Sequence, residues 1–169
     1  MILKTLFLLF LSNSVFSFES VEQAGKILMP FKKELMKTLK TSFKKDGVTG
    51  AIDKCHVAAP GITDKHSNGS YVIGRTSFKY RNPSNRPEKW MEAVLLGYEK
   101  SKSIEAQLVS HSGVNYYVEP IYTKGLCLNC HGSITQPVKT KLSELYPQDR
   151  ATGYKLGEFR GMFWMKANK

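Results

Sequence analysis

The sequence predicts an α+β domain, a small antiparallel sheet flanked by helices, and three observations carry that expectation. Between Glu19 and about Lys45 the apolar residues Leu28, Phe31, Leu35, Leu39 and Phe43 recur three or four positions apart, the period of a helix with one buried face. Residues 104–109 and 115–122 read as strands, and His111-Ser112-Gly113 between them reads as a hairpin turn. A cysteine motif, Cys127-Leu128-Asn129-Cys130-His131, follows the hairpin, and residues 159–165 read as a closing strand.

At the N-terminus, Met1-Ile2-Leu3-Lys4 leads into Leu6-Phe7-Leu8-Leu9-Phe10-Leu11 and then Val15-Phe16-Ser17. A positive charge, a short apolar run and a small residue in that order predict a signal peptide over residues 1–17, cleaved near Ser17, and a periplasmic mature chain. The apolar run falls short of the roughly 20 residues a spanning helix needs. Residues 18–47 form the amphipathic helix, kinked near Pro30, with Lys32, Lys33, Lys37, Lys40 and Lys44 mostly off its apolar stripe. It packs across its own domain or against a second copy in a homodimer, or it lies peripherally on a membrane through its lysines. The formal charge is +11. On an exported chain this excess excludes nucleic acid as a partner and leaves an anionic membrane surface, an acidic redox partner or a solvated basic face.

Asp46-Gly47 breaks the first helix, and residues 48–169 make up the remaining domain. Its expected elements begin with a helix over residues 48–59, stopped by Pro60-Gly61, and a strand over 71–78. The turn-rich Arg81-Asn82-Pro83-Ser84-Asn85-Arg86-Pro87 comes next, because proline cannot donate to a ladder. Residues 88–101 form a helix with Trp90, Val94 and Tyr98 on one face. Beyond the hairpin and the motif lie a polar stretch holding Pro137 and a turn at Tyr146-Pro147-Gln148-Asp149.

The motif itself is C-x-x-C-H, the attachment signature of c-type haem. Two thiols three positions apart on a helical turn can each form a thioether to one vinyl group, and the following His131 offers the iron an imidazole nitrogen. A structural zinc site needs four ligands and the chain has only one further cysteine, Cys55. A thioredoxin-like pair belongs early in a βαβ unit, not late in the chain. A small disulfide loop is the plain alternative. Export agrees with haem, since c-type attachment takes place outside the cytoplasm. No Ser-His-Asp set or phosphate loop stands out. The late position of the motif also departs from ordinary cytochromes c, which are almost wholly helical and carry it near the N-terminus.

Arg75-Thr76-Ser77, Arg81-Asn82-Pro83, Asn85, Pro87, the Cys127–Gly132 stretch, Tyr146-Pro147, Asp149, Ala151-Thr152-Gly153-Tyr154, Gly157 and Arg160-Gly161 together resemble a single-haem c-type family with a PAS-like fold. Its members occur as small exported proteins and as sensor domains of bacterial signalling proteins. The resemblance implies a five-stranded antiparallel PAS-like sheet with one covalent haem c beside it.

Iron held by His131 has a further axial position, for which Cys55, His56, His66, His111 and several methionines are candidates, unless it is left open. On a helix Val48, Ile52, Cys55 and Ala59 share one stripe, with His56 toward its edge, and a small buried hydrophobe is the bland reading of Cys55. The resemblance implies a thiolate ligand at Cys55, because family members carry a cysteine there ahead of an Ala-Pro, here Ala59-Pro60; His56 is the alternative. Arg75, Arg81 and Arg86 are candidates for the haem propionates, since guanidinium pairs bidentately with carboxylate. Tyr146, Tyr154, Phe159, Phe163 and Trp164 are expected as core or packing aromatics. The functions that follow are a six-coordinate haem protein in redox sensing or electron transfer with a partner protein, a gas or small-ligand sensor with an exchangeable axial ligand, or a haem peroxidase, which needs an open iron position.

Overall fold

A computed structural model describes residues 18–168; the expected signal peptide lies outside the described residues. Ser20 opens the long helix α1 (Val21–His66) by accepting from the Gln23 amide at 3.1 Å. Gly47, at φ 67° and ψ −164°, is the only non-helical residue inside α1 and divides it into two arms. The arms fold back on each other: Glu34 in the first meets Lys65 Nζ at 2.9 Å and His66 Nε2 at 2.7 Å in the second, and Phe31 meets the His66 ring edge-on at 5.8 Å. The second arm does not stop before Pro60, as expected, but continues to His66. Pro30 and Pro60 are both exposed, so the carbonyls their missing amides leave free can be hydrated, and the backbone stays helical through each.

Strand β1 (Tyr71–Thr76) ends two residues earlier than expected. Helix α2 (Lys89–Ser101) precedes the hairpin of β2 (Gln107–His111) and β3 (Val114–Tyr122). Its two turn residues, Ser112 and Gly113, both have positive φ, 50° and 73°, which matches the twist of the flanking strands. The motif forms the single-turn α3 (Leu128–His131), and α4 (Gln136–Leu145) follows where the sequence suggested only a polar stretch. Pro137 marks the first turn of that helix, where a missing amide costs nothing, rather than an irregular segment. Strand β4 (Phe159–Ala167) completes an antiparallel sheet of order β1-β4-β3-β2.

The sheet therefore has four strands, not the five the resemblance implies. The segment after β1 holds Pro83 and Pro87 around a short 3-10 turn, Pro83–Asn85, and cannot extend a ladder along the free edge of β1. Each face of the sheet has its own helix. Ile73, Met165 and Tyr117 form one cross-strand row, and with Leu28, Phe31 and Ile62 they bury α1 on that face. Val118 and Met162 point to the other face, where Met91, Leu95 and Tyr98 of α2 cover them. A third apolar cluster, Ile52, Cys130, Val138 and Leu142, joins the second arm of α1 to α3 and α4. It sets the motif against α1.

Candidate haem site

The motif is shaped by its own backbone. A 3-10 turn, Gly125–Cys127, runs into α3, so Cys127 and Cys130 stand three positions apart on a helical turn. Gly132 ends that turn by donating to the Leu128 carbonyl at 2.9 Å, and a Cβ there would lie 2.8 Å from the same oxygen. Both thiols are free, and Cys130 is buried in the third cluster. Burial pushes the Cys130 thiol up from its ordinary value, against the lowering pull of Arg81.

The loop after α4 orients His131. Its Nδ1 donates to the Ala151 carbonyl at 2.7 Å, while Asp149 Oδ1 accepts from the Ala151 amide at 2.9 Å. The Gly153 amide donates to the Gly132 carbonyl at 3.1 Å and the Tyr154 amide to the His131 carbonyl at 2.9 Å, so this loop pairs with the motif's backbone. Burial, followed by the nearby Arg160 and Arg81, holds the imidazole well below its ordinary pKa. A neutral ring with Nδ1 as donor presents Nε2 as the lone-pair atom, which is the state a metal requires.

Three arginines surround this centre. Arg81 is committed to protein groups: Nε donates to Asp149 at 3.2 Å and Nη2 to the Cys130 carbonyl at 2.6 Å. It braces the motif. Arg75, half-buried near the end of β1, has its pKa drawn down to about 10 by burial and then by Arg160. Arg160, for which the sequence suggests no role, donates from Nη1 to His131 Nε2 at 2.9 Å, and its Nε is buried with no hydrogen-bond partner. Among the described residues Arg81 is the guanidinium of the three that has a carboxylate partner. Arg86 is exposed.

Cys55 is half-buried on α1, one turn beyond Ile52, within electrostatic range of Arg75, Arg81 and Cys130. Burial raises its thiol pKa and the two arginines oppose that rise. The neighbouring His56 is exposed and sits edge-on to Tyr146 at 4.8 Å. His66 is held between the arms of α1, and His111 stacks on Trp90 at 5.0 Å in the hairpin, so the structure brings neither to the motif. Tyr154 is buried edge-on to His131, whereas Phe159, Phe163 and Trp164 line the sheet.

Two thiols, an oriented neutral imidazole and cationic groups short of carboxylates form a donor set that suits a haem: Cys127 and Cys130 for attachment, His131 for iron, and Arg75 and Arg160 for acidic substituents. Among the described residues no group of three or more His, Cys, Asp or Glu side chains could hold a bare metal ion.

The model of the Tll0287-like family matches residues 16–167, nearly the whole chain. The chain belongs to the Tll0287-like family. The crystal structure of the cyanobacterial heme-protein Tll0287 superposes with a TM-score of 0.65 at 21% identity, covering 86% of this chain and 94% of that one. At that identity the likeness shows a shared fold. No curated protein matches the chain. The family match takes in the first arm of α1, which precedes every residue that carries the resemblance.

Proposed function

We propose that this Tll0287-like chain is an exported c-type monohaem protein with a PAS-like fold, acting by six-coordinate redox chemistry in sensing or electron transfer. The observation that carries the reading is His131. Its imidazole is neutral, fixed by the Ala151 carbonyl and flanked by two free thiols at haem-attachment spacing. That the solved relative is a heme-protein adds support. When bound, the haem supplies a one-electron couple and an axial position.

The chain's own residues do the rest. Cys127 and Cys130 anchor covalently, so the cofactor cannot dissociate in a compartment from which it would not be recovered. His131 and Cys55 would hold the iron. Ile52, Val138 and Leu142 pack around Cys130 and would exclude water from that attachment point.

The chain matured in an exporting host should carry one haem that survives denaturation and acid-acetone extraction, read by mass spectrometry. Haem that extracts freely would refute covalent attachment, and an absence of haem would refute the reading itself.

A further inference from the structure

The lone pair on His131 Nε2 has a partner within the chain, since Arg160 Nη1 donates to it at 2.9 Å. Nδ1 is fixed as a donor to the Ala151 carbonyl, so Nε2 is the nitrogen left for iron. One lone pair takes one partner at a time, a hydrogen-bond donor or a metal. Arg160 and iron therefore exclude each other, and binding of one releases the other.

Where Arg160 goes is set by what surrounds it. Its Nε is buried and unpartnered even while Nη1 is bonded. The site's arginine-paired carboxylate, Asp149, is held by Arg81 and by the Ala151 amide. A guanidinium released from Nε2 thus has donors to satisfy and, among the described residues, no carboxylate paired with it to take them, while haem carries carboxylates of its own.

We propose that Arg160 is a two-position residue: it caps His131 Nε2 in the haem-free chain and, displaced by iron, forks onto a carboxylate of the same haem. The proposal rests on the haem reading. It makes the haem-free imidazole pre-oriented and protected, and it couples iron capture to carboxylate capture, because the move that frees Nε2 also frees the fork.

The test uses the haem-free full chain, titrated with hemin and with hemin dimethyl ester while tryptophan fluorescence is followed. Wild type should prefer the free acid by on the order of tenfold, the size of one charge-assisted pair. Arg160→Gln should bring the two ligands near parity, and Arg160→Lys, which keeps the charge but not the fork, should restore part of the preference. In the same haem-free proteins the Nε2 nitrogen resonance of His131 should move in Arg160→Gln. An unchanged preference in both variants, or one lost only in Arg75→Gln, overturns the proposal and leaves the haem reading standing. Failure of wild type to bind either compound, while the chain matured in an exporting host carries haem, also overturns the proposal; failure of both sinks the haem reading instead. Because each comparison is made between two ligands on one protein, a general loss of fold quality does not mimic the result.

Discussion

Arg81 and Asp149 join the motif to the loop that aims its histidine: the guanidinium donates to the Asp149 carboxylate at 3.2 Å and, from its other end, to the Cys130 carbonyl. Asp149 in turn fixes the amide of Ala151, whose carbonyl receives His131 Nδ1. The pair is mostly out of water, with side-chain exposures of 15% and 8%. Removing one member of such a pair leaves the other uncompensated, at a cost of about 3 kcal/mol or more. Arg81→Ala should therefore lower the denaturation midpoint of the haem-free chain and reduce haem attachment. Arg81→Lys should fall between, since an ammonium cannot reach both partners at once. A wild-type midpoint in Arg81→Ala would show that the tie is incidental.

Acid is expected to loosen the two arms of α1. Hydrogen bonds from His66 and then Lys65 hold the Glu34 carboxyl below its ordinary pKa. A depressed folded-state pKa means stabilisation that is fully present above the unfolded value and is lost as pH falls through the folded one. Hydrogen exchange should show protection around Phe31 and Ile62 declining through that window. Glu34→Gln should remove this part of the pH dependence. Because Glu34 is only half-buried and Lys65 is exposed, the effect is local opening rather than global unfolding.

Gly74 is placed by its neighbour across the sheet. Trp164 stands directly opposite in β4, and a Cβ on Gly74 would lie 2.5 Å from its ring. Gly74→Ala should cost about 1–3 kcal/mol through displacement of the indole, read by thermal unfolding and by a shift in tryptophan emission. Gly69, whose Cβ would meet nothing within 4 Å, serves as the neutral control.

Much of the fold was legible because it follows local periodicity. The stripe of Leu28, Phe31 and Leu35, the hairpin turn at Ser112-Gly113 and the helix bearing Trp90 and Tyr98 each rest on residues close in sequence. What was not legible depended on exposure or on distant partners. Pro60 ends a helix only if the carbonyl it leaves free has no water, and the sequence does not say which side of the helix faces solvent. Pro137 opens a helix instead of interrupting a loop, a position that Val138 and Leu142 at helical spacing could have signalled. The site divides the same way. Cys127, Cys130 and His131 are contiguous and readable, whereas Arg81 as a brace and Arg160 as the partner of Nε2 come from residues 49 and 29 positions away.

Cys55 is expected to be the second axial ligand, and His56 is not. The two are adjacent, but Cys55 lies half-buried in range of Cys130 and Arg75, while His56 is exposed against the edge of Tyr146. Burial keeps the free thiol protonated, so Cys55 becomes a thiolate only by exchanging its proton for iron. Thiolate sulfur favours the ferric over the ferrous state, and each tenfold of that preference lowers a one-electron potential by about 59 mV. Cys55→Ser and Cys55→Ala should raise the reduction potential of the haem-loaded chain and turn a low-spin ferric spectrum toward high-spin or water-bound. His56→Ala should leave both readings unchanged. Carbon monoxide added to the reduced wild type distinguishes electron carrier from sensor: rapid binding means that Cys55 leaves on reduction and opens a ligand site, and resistance to it means that the axial position stays filled through the redox cycle. Were His56→Ala to abolish the ferric spectrum and Cys55→Ser to preserve it, the helix would have to turn its exposed face inward on loading, and the protein would be a bis-histidine carrier.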